Sequence, residues 1–69
     1  MDPITAIGLA IGAIKLGIEI YTYIHNHPST PDEVKVKVAA KIESDTVTLA
    51  KLEESREELE RRLINTQSP

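Results

Sequence analysis

No cysteine, tryptophan or phenylalanine occurs among the 69 residues, and the only aromatics are Tyr21 and Tyr23. Without cysteine there is neither a disulfide framework nor a thiolate metal site, and nothing points to a redox compartment. The shortage of aromatic rings removes the usual anchors of a globular core. It also removes the platforms on which single-strand nucleic-acid binders stack bases. A basic patch is missing too: 8 Lys and Arg stand against 11 Asp and Glu, for a formal net charge of -3, and the basic residues are interleaved with the acidic ones. Binding to a phosphate backbone needs the opposite pattern, so no nucleic-acid partner is expected. No positive charge precedes the apolar run near the start; Asp2 does. No small-residue cleavage site follows the run, so it does not read as a secretory leader.

What the chain does contain is helix-forming apolar sequence in one place and charge in another. Residues 4–24, ITAIGLAIGAIKLGIEIYTYI, hold more apolar surface than a chain of this size can cover. Advancing about 100° per residue sorts them into stripes. Ile4, Ile7, Ile11, Ile14, Ile18 and Tyr21 follow alternating steps of three and four, the spacing of a coiled-coil seam. Leu9, Leu16, Ile20 and Tyr23 make a second apolar face. Ala6, Ala10, Ala13 and Gly17 lie between the two as a strip of small side chains. Thr5, Gly8, Gly12, Lys15, Glu19, Thr22 and Asn26 take the remaining, polar sector.

A helix that is apolar over most of its circumference belongs in a bundle or in lipid. Glycine weakens a helix by up to about 1 kcal/mol relative to alanine. Gly8 and Gly12 stand at the small-xxx-small spacing that lets backbones approach. The expected oligomer interface is therefore Ile4, Ile7, Gly8, Ile11, Gly12, Ile14, Ile18 and Tyr21. A span of the bilayer is the alternative, since the run is long enough. Lys15 and Glu19 inside it, and the lack of flanking Lys or Arg, make it the less favoured one.

Asp2 reads as an N-cap with Pro3 in the first turn, where a missing N–H does no harm. The string Asn26-His27-Pro28-Ser29-Thr30-Pro31 ends the helix. Thr30, Pro31 and Glu33 predict a second start, with threonine as N-cap and glutamate completing a capping box. Val34-Lys35-Val36-Lys37-Val38 alternates like a strand, but it follows that capping signal and leads into a helical pattern. Val38, Ile42, Asp45, Leu49, Leu52, Arg56, Leu59 and Leu63 keep the steps of a second seam, with Asp45 and Arg56 as polar interruptions. Up to about Ala50 a milder second face exists, made by Val36, Ala39, Ala40, Val47 and Ala50. Beyond it Glu57 precedes Arg61, and Glu58 precedes Arg62, in the favourable i to i+4 order.

The expected organisation is all-α. Residues 1–25 form an apolar oligomerisation helix, 26–30 a linker, 31–65 an amphipathic charged helix and 66–69 a tail. Two helices joined by a short proline-containing linker are expected to assemble into a helical homo-oligomer, a bundle or coiled coil.

Candidate chemistry is sparse. His25 and His27 sit two apart, but a loop with no third ligand is a solvated turn before it is a metal site. Lys15 and Glu19 read as an ion pair or, in a ring of helices, as the lining of a lumen. Asp45 and Arg56 read as register devices in the seam. No catalytic residue, cofactor or metal is expected, because a carboxylate at work needs a cleft and a partner.

The opening Met1-Asp2-Pro3-Ile4-Thr5-Ala6-Ile7-Gly8-Leu9-Ala10 resembles the apolar, Gly/Ala-rich first helix of small tailed-phage proteins, virion components and holin-like proteins among them. It is also similar to the start of fungal HeLo-type domains. The phage resemblance implies a virion subunit that binds itself and other structural proteins, or failing that a small holin-like or pore-forming membrane protein. An assembly-driving adaptor is a third expectation.

Overall fold

The computed structural model describes residues 1–67, and over these the chain is two α-helices: α1 Pro3–Asn26 and α2 Asp32–Gln67. They fold back on each other as a hairpin and pack side by side. No strand occurs among the described residues; the valine alternation after Pro31 lies inside α2.

The start of α1 is set by its cap. Asp2 is extended, with φ -74° and ψ 159°. One carboxylate oxygen accepts the Thr5 N–H at 2.9 Å. The other accepts the Thr5 hydroxyl at 2.7 Å. One orphan amide of the first turn is thereby satisfied, and Pro3 brings no amide that needs a partner.

The connection, residues 27–31, is as long as the expected 26–30 linker but shifted by one residue, and it is built differently. Asn26 remains helical, and the break falls at His27. The His27 N–H donates to Ile24 O at 3.2 Å, and the Thr30 N–H donates to His27 O at 3.1 Å. The capping box expected from Thr30 and Glu33 does not form. Pro31 O, not Thr30, accepts the first amides of α2, from Val34 and Lys35 at 3.0 Å. The Thr30 hydroxyl donates backward instead, to Ile24 O at 2.7 Å. The physical reason is competition. The Ile24 carbonyl at the end of α1, which already takes the His27 N–H, offers a second lone pair in a part-buried position, whereas the first amides of α2 open onto water.

Helix α2 has 36 residues and α1 has 24, so α2 outruns its neighbour by about three turns. It also extends past the boundary expected at residue 65, taking in Thr66 and Gln67; the rest of the expected tail, 68 and 69, lies outside the described residues. The principal extents of 59 × 18 × 14 Å show a rod. Its radius of gyration is 16.4 Å, where a compact chain of this length would have about 11 Å. Accessible surface tells the same story, with 5335 Å² exposed against roughly 4,300 Å² for a compact protein of this mass.

Candidate functional site

The two seams read from the sequence are the faces that the hairpin withdraws from water. On α1, Ile11 is buried at 4% exposure, and Ile4, Ile7, Ile14, Ile18 and Tyr21 are half-buried. On α2, Val38 is buried, while Ile42, Asp45, Leu49, Leu52, Arg56 and Leu59 are half-buried. Counting equal steps outward from the connection brings Tyr21 level with Val38, Ile18 with Ile42, Ile14 with Asp45 and Ile11 with Leu49. The isoleucine line expected between chains therefore has a mate inside its own chain. Leu63, the last position of the second seam, is exposed, because α1 has ended before that level.

The polar interruptions of the seam are paired along α2. Lys41 Nζ lies 3.1 Å from Asp45 Oδ1, and the Asp45 side chain is only 16% exposed. Arg56 Nε lies 3.7 Å from Glu60 Oε1. Arg62 meets Glu58 at 2.7 Å and Arg61 approaches Glu57 at 3.9 Å, each pair one helical turn apart. Lys15 and Glu19 behave otherwise: both project into solvent, and among the described residues no ion pair joins them.

The glycines show what α2 does not use. A Cβ built on Gly8, Gly12 or Gly17 would meet nothing within 4 Å. Gly8 and Gly17 are half-buried and Gly12 is exposed. No second backbone approaches them within the hairpin.

Of the two histidines at the turn, His27 serves the backbone and His25 meets a side chain. His27 Nδ1 accepts the Ser29 N–H at 3.1 Å, which requires that nitrogen to be unprotonated. Its ring also packs against Tyr23, with centroids 5.8 Å apart and planes tilted by 55°. His25 Nδ1 lies 3.2 Å from Asn26 Oδ1. Among the described residues no three His, Asp or Glu side chains converge where they could hold a metal. Nor do the described residues enclose a cavity. Asp2 is the residue whose ionisation the fold visibly perturbs: the backbone and hydroxyl donors of Thr5 hold its carboxyl below the usual aspartate value.

What stands open is the second apolar face of α1. Leu9 is 59% exposed, Leu16 58%, Ile20 51% and Tyr23 70%, with Ala6 and Ala13 exposed among them. This face lies about 160–180° round the helix from the seam that α2 covers. By length and composition α1 could also cross a membrane. Both stripes are visible in the sequence, but its periodicity pointed to the isoleucines as the interface between chains. The signal that separates them was present in α2, whose matching heptad steps begin soon after the short connection that follows Asn26.

No family model, curated protein or solved structure matches the chain. None of these comparisons links the chain to tailed-phage proteins.

Proposed function

We propose that this chain is a non-enzymatic structural subunit that associates with copies of itself through the outer face of α1, leaving the acidic α2 to meet other proteins of the assembly. The observation that carries the reading is the exposed line Leu9, Leu16, Ile20 and Tyr23 on a helix whose opposite side is already covered. Soluble monomers seldom leave a contiguous apolar patch of this kind uncovered. The resemblance at residues 1–10 makes a virion the proposed setting. Sedimentation of the full chain over a range of concentrations tests the reading, with a concentration-dependent oligomer expected and a monomer throughout as the contrary result.

A second reading has its own observation, the length and apolar character of α1. As a membrane span, α1 would have to leave α2, because the seam it shares with α2 contains Asp45 and Arg56. The hairpin would then exist only off the membrane. Flotation with phosphatidylcholine vesicles distinguishes the two: a structural subunit stays at the bottom of the gradient, and a spanning helix rises with the lipid.

A further inference from the structure

The open face of α1 has an order that reads the same from either end. Ala6, Leu9, Ala13, Leu16, Ile20 and Tyr23 are separated by steps of three, four, three, four and three, and all six are exposed. A second copy of the helix turned end over end therefore meets the first position for position. We infer that α1 pairs with α1 of a second copy in an antiparallel, two-fold symmetric contact in which Ala6 faces Tyr23, Leu9 faces Ile20 and Ala13 faces Leu16. This deepens the assembly reading above and rests on it.

Three features of the molecule support this register. The first is volume. Two of the three distinct layers set an alanine against a bulky side chain, and the third sets leucine against isoleucine, so the layers fill without overcrowding. A parallel pair would put Ala6 on Ala6 and Ala13 on Ala13, leaving voids, and would crowd Tyr23 onto Tyr23. The second is extent. The pairing is centred midway between Ala13 and Leu16, which is also the midpoint of Pro3–Asn26, so the two helices overlap along their whole length. Their dipoles then oppose each other favourably. The third is area. Over its whole length, the projecting end of α2 included, the chain exposes about 1,000 Å² more than a compact protein of its mass, and one partner of a standard interface buries about 800 Å².

The flanks of the line fit as well. On one side stand Ala10 and Gly17, small enough for the backbones to come close, and Gly17 is a glycine whose added Cβ would meet nothing in the hairpin. On the other stand Thr5, Gly12 and Glu19, all exposed. Glu19 sits at the rim, where its carboxylate stays in water. Lys15 lies farther round and is not covered. Because α2 occupies the opposite side of α1, each α2 ends up on the outside of a four-helix layer, and neither obstructs the contact.

The test uses single cysteines in the full chain, which has none of its own. Ala6→Cys and Tyr23→Cys proteins are treated with a short thiol crosslinker, separately and mixed. Covalent dimers only in the mixture are expected, because like positions at either end of the line stand about 26 Å apart in the antiparallel pair. Dimers in the separate samples would show a parallel contact, overturning this geometry and leaving the assembly reading intact. As a second measurement, Leu16→Ala should weaken the dimer by about 100-fold or more with helix content unchanged. An unchanged dissociation constant would place the interface elsewhere and overturn the inference. A wild-type chain that sediments as a monomer would overturn the inference and the assembly reading together.

Discussion

Asp45 stands in the seam of α2 with its carboxylate 3.1 Å from the ammonium of Lys41 one turn earlier. Its mate along α1 is the apolar level of Ile14, so the charge is answered from its own helix and not from across the hairpin. Replacing Asp45 with leucine should raise hairpin stability by about 1 to 2 kcal/mol, since it exchanges a partly desolvated ion for apolar contact. Lys41→Ala should lower it by about 0.5 to 1 kcal/mol. Urea midpoints at one fixed protein concentration check both, and a loss of stability in Asp45→Leu would show that the carboxylate has a partner across the seam.

The Thr30 hydroxyl ties the end of α1 to the start of α2 through Ile24 O. Thr30→Val keeps the shape and removes the donor, so a destabilisation of about 1 kcal/mol is expected. Thr30→Ser should restore most of it. A loss in Thr30→Ser with none in Thr30→Val would show that the methyl group, not the hydroxyl, is what the turn requires.

Asp2 gives the fold a pH dependence of known sign. Its carboxyl is held below the ordinary aspartate value of 3.8 by the donors of Thr5, so the unfolded chain binds the proton more readily than the folded one. The contribution is therefore complete above the ordinary value and is lost as pH falls through the lower, folded value. Asp2→Asn should cap the helix without this dependence. The stability difference between wild type and variant should be flat near neutrality and shrink below about pH 4; a difference that grew on acidification would contradict the assignment.

Gly8 lies outside both apolar faces, and a Cβ there meets nothing. Gly8→Ala should therefore raise the melting temperature, with a gain approaching about 1 kcal/mol from helix propensity alone. Thermal melts followed by circular dichroism decide it. A drop in stability would reveal a backbone neighbour at Gly8 that the isolated hairpin does not contain.

Much of the fold was legible because period is a strong signal. The steps through Ile4, Ile11 and Ile18, and through Val38, Leu49 and Leu59, identify the covered faces of both helices before any coordinates. Periodicity states that a face is covered without saying by what. The expectation that the isoleucine line binds another chain arose from that gap; the short connection, which brings Tyr21 level with Val38, was the missing information. Thr30 was misread for a local reason. Its position before Pro31 fits an N-cap, but the choice between two helix ends depends on which orphan group is less hydrated, and that is a property of the folded turn. Lys15 and Glu19 have the spacing of an ion pair, yet water solvates both well enough that the contact is not made.

The unequal lengths of the helices divide the molecule into two regimes of cooperativity. Over the reach of α1, every turn of α2 shares its fate with the hairpin. Past Leu59 the helix continues on its own resources, namely the one-turn pairs of Glu57 with Arg61 and of Glu58 with Arg62, which salt screens. Amide exchange should accordingly step down in protection across residues 59–63 instead of fading evenly along α2. Raising ionic strength should loosen the distal turns while the hairpin holds. Whatever grips that projecting end, with Leu63 and Ile64 uncovered on it, would order a fringe and leave the rest of the molecule thermodynamically undisturbed. Capture and folding are thereby uncoupled within a single helix.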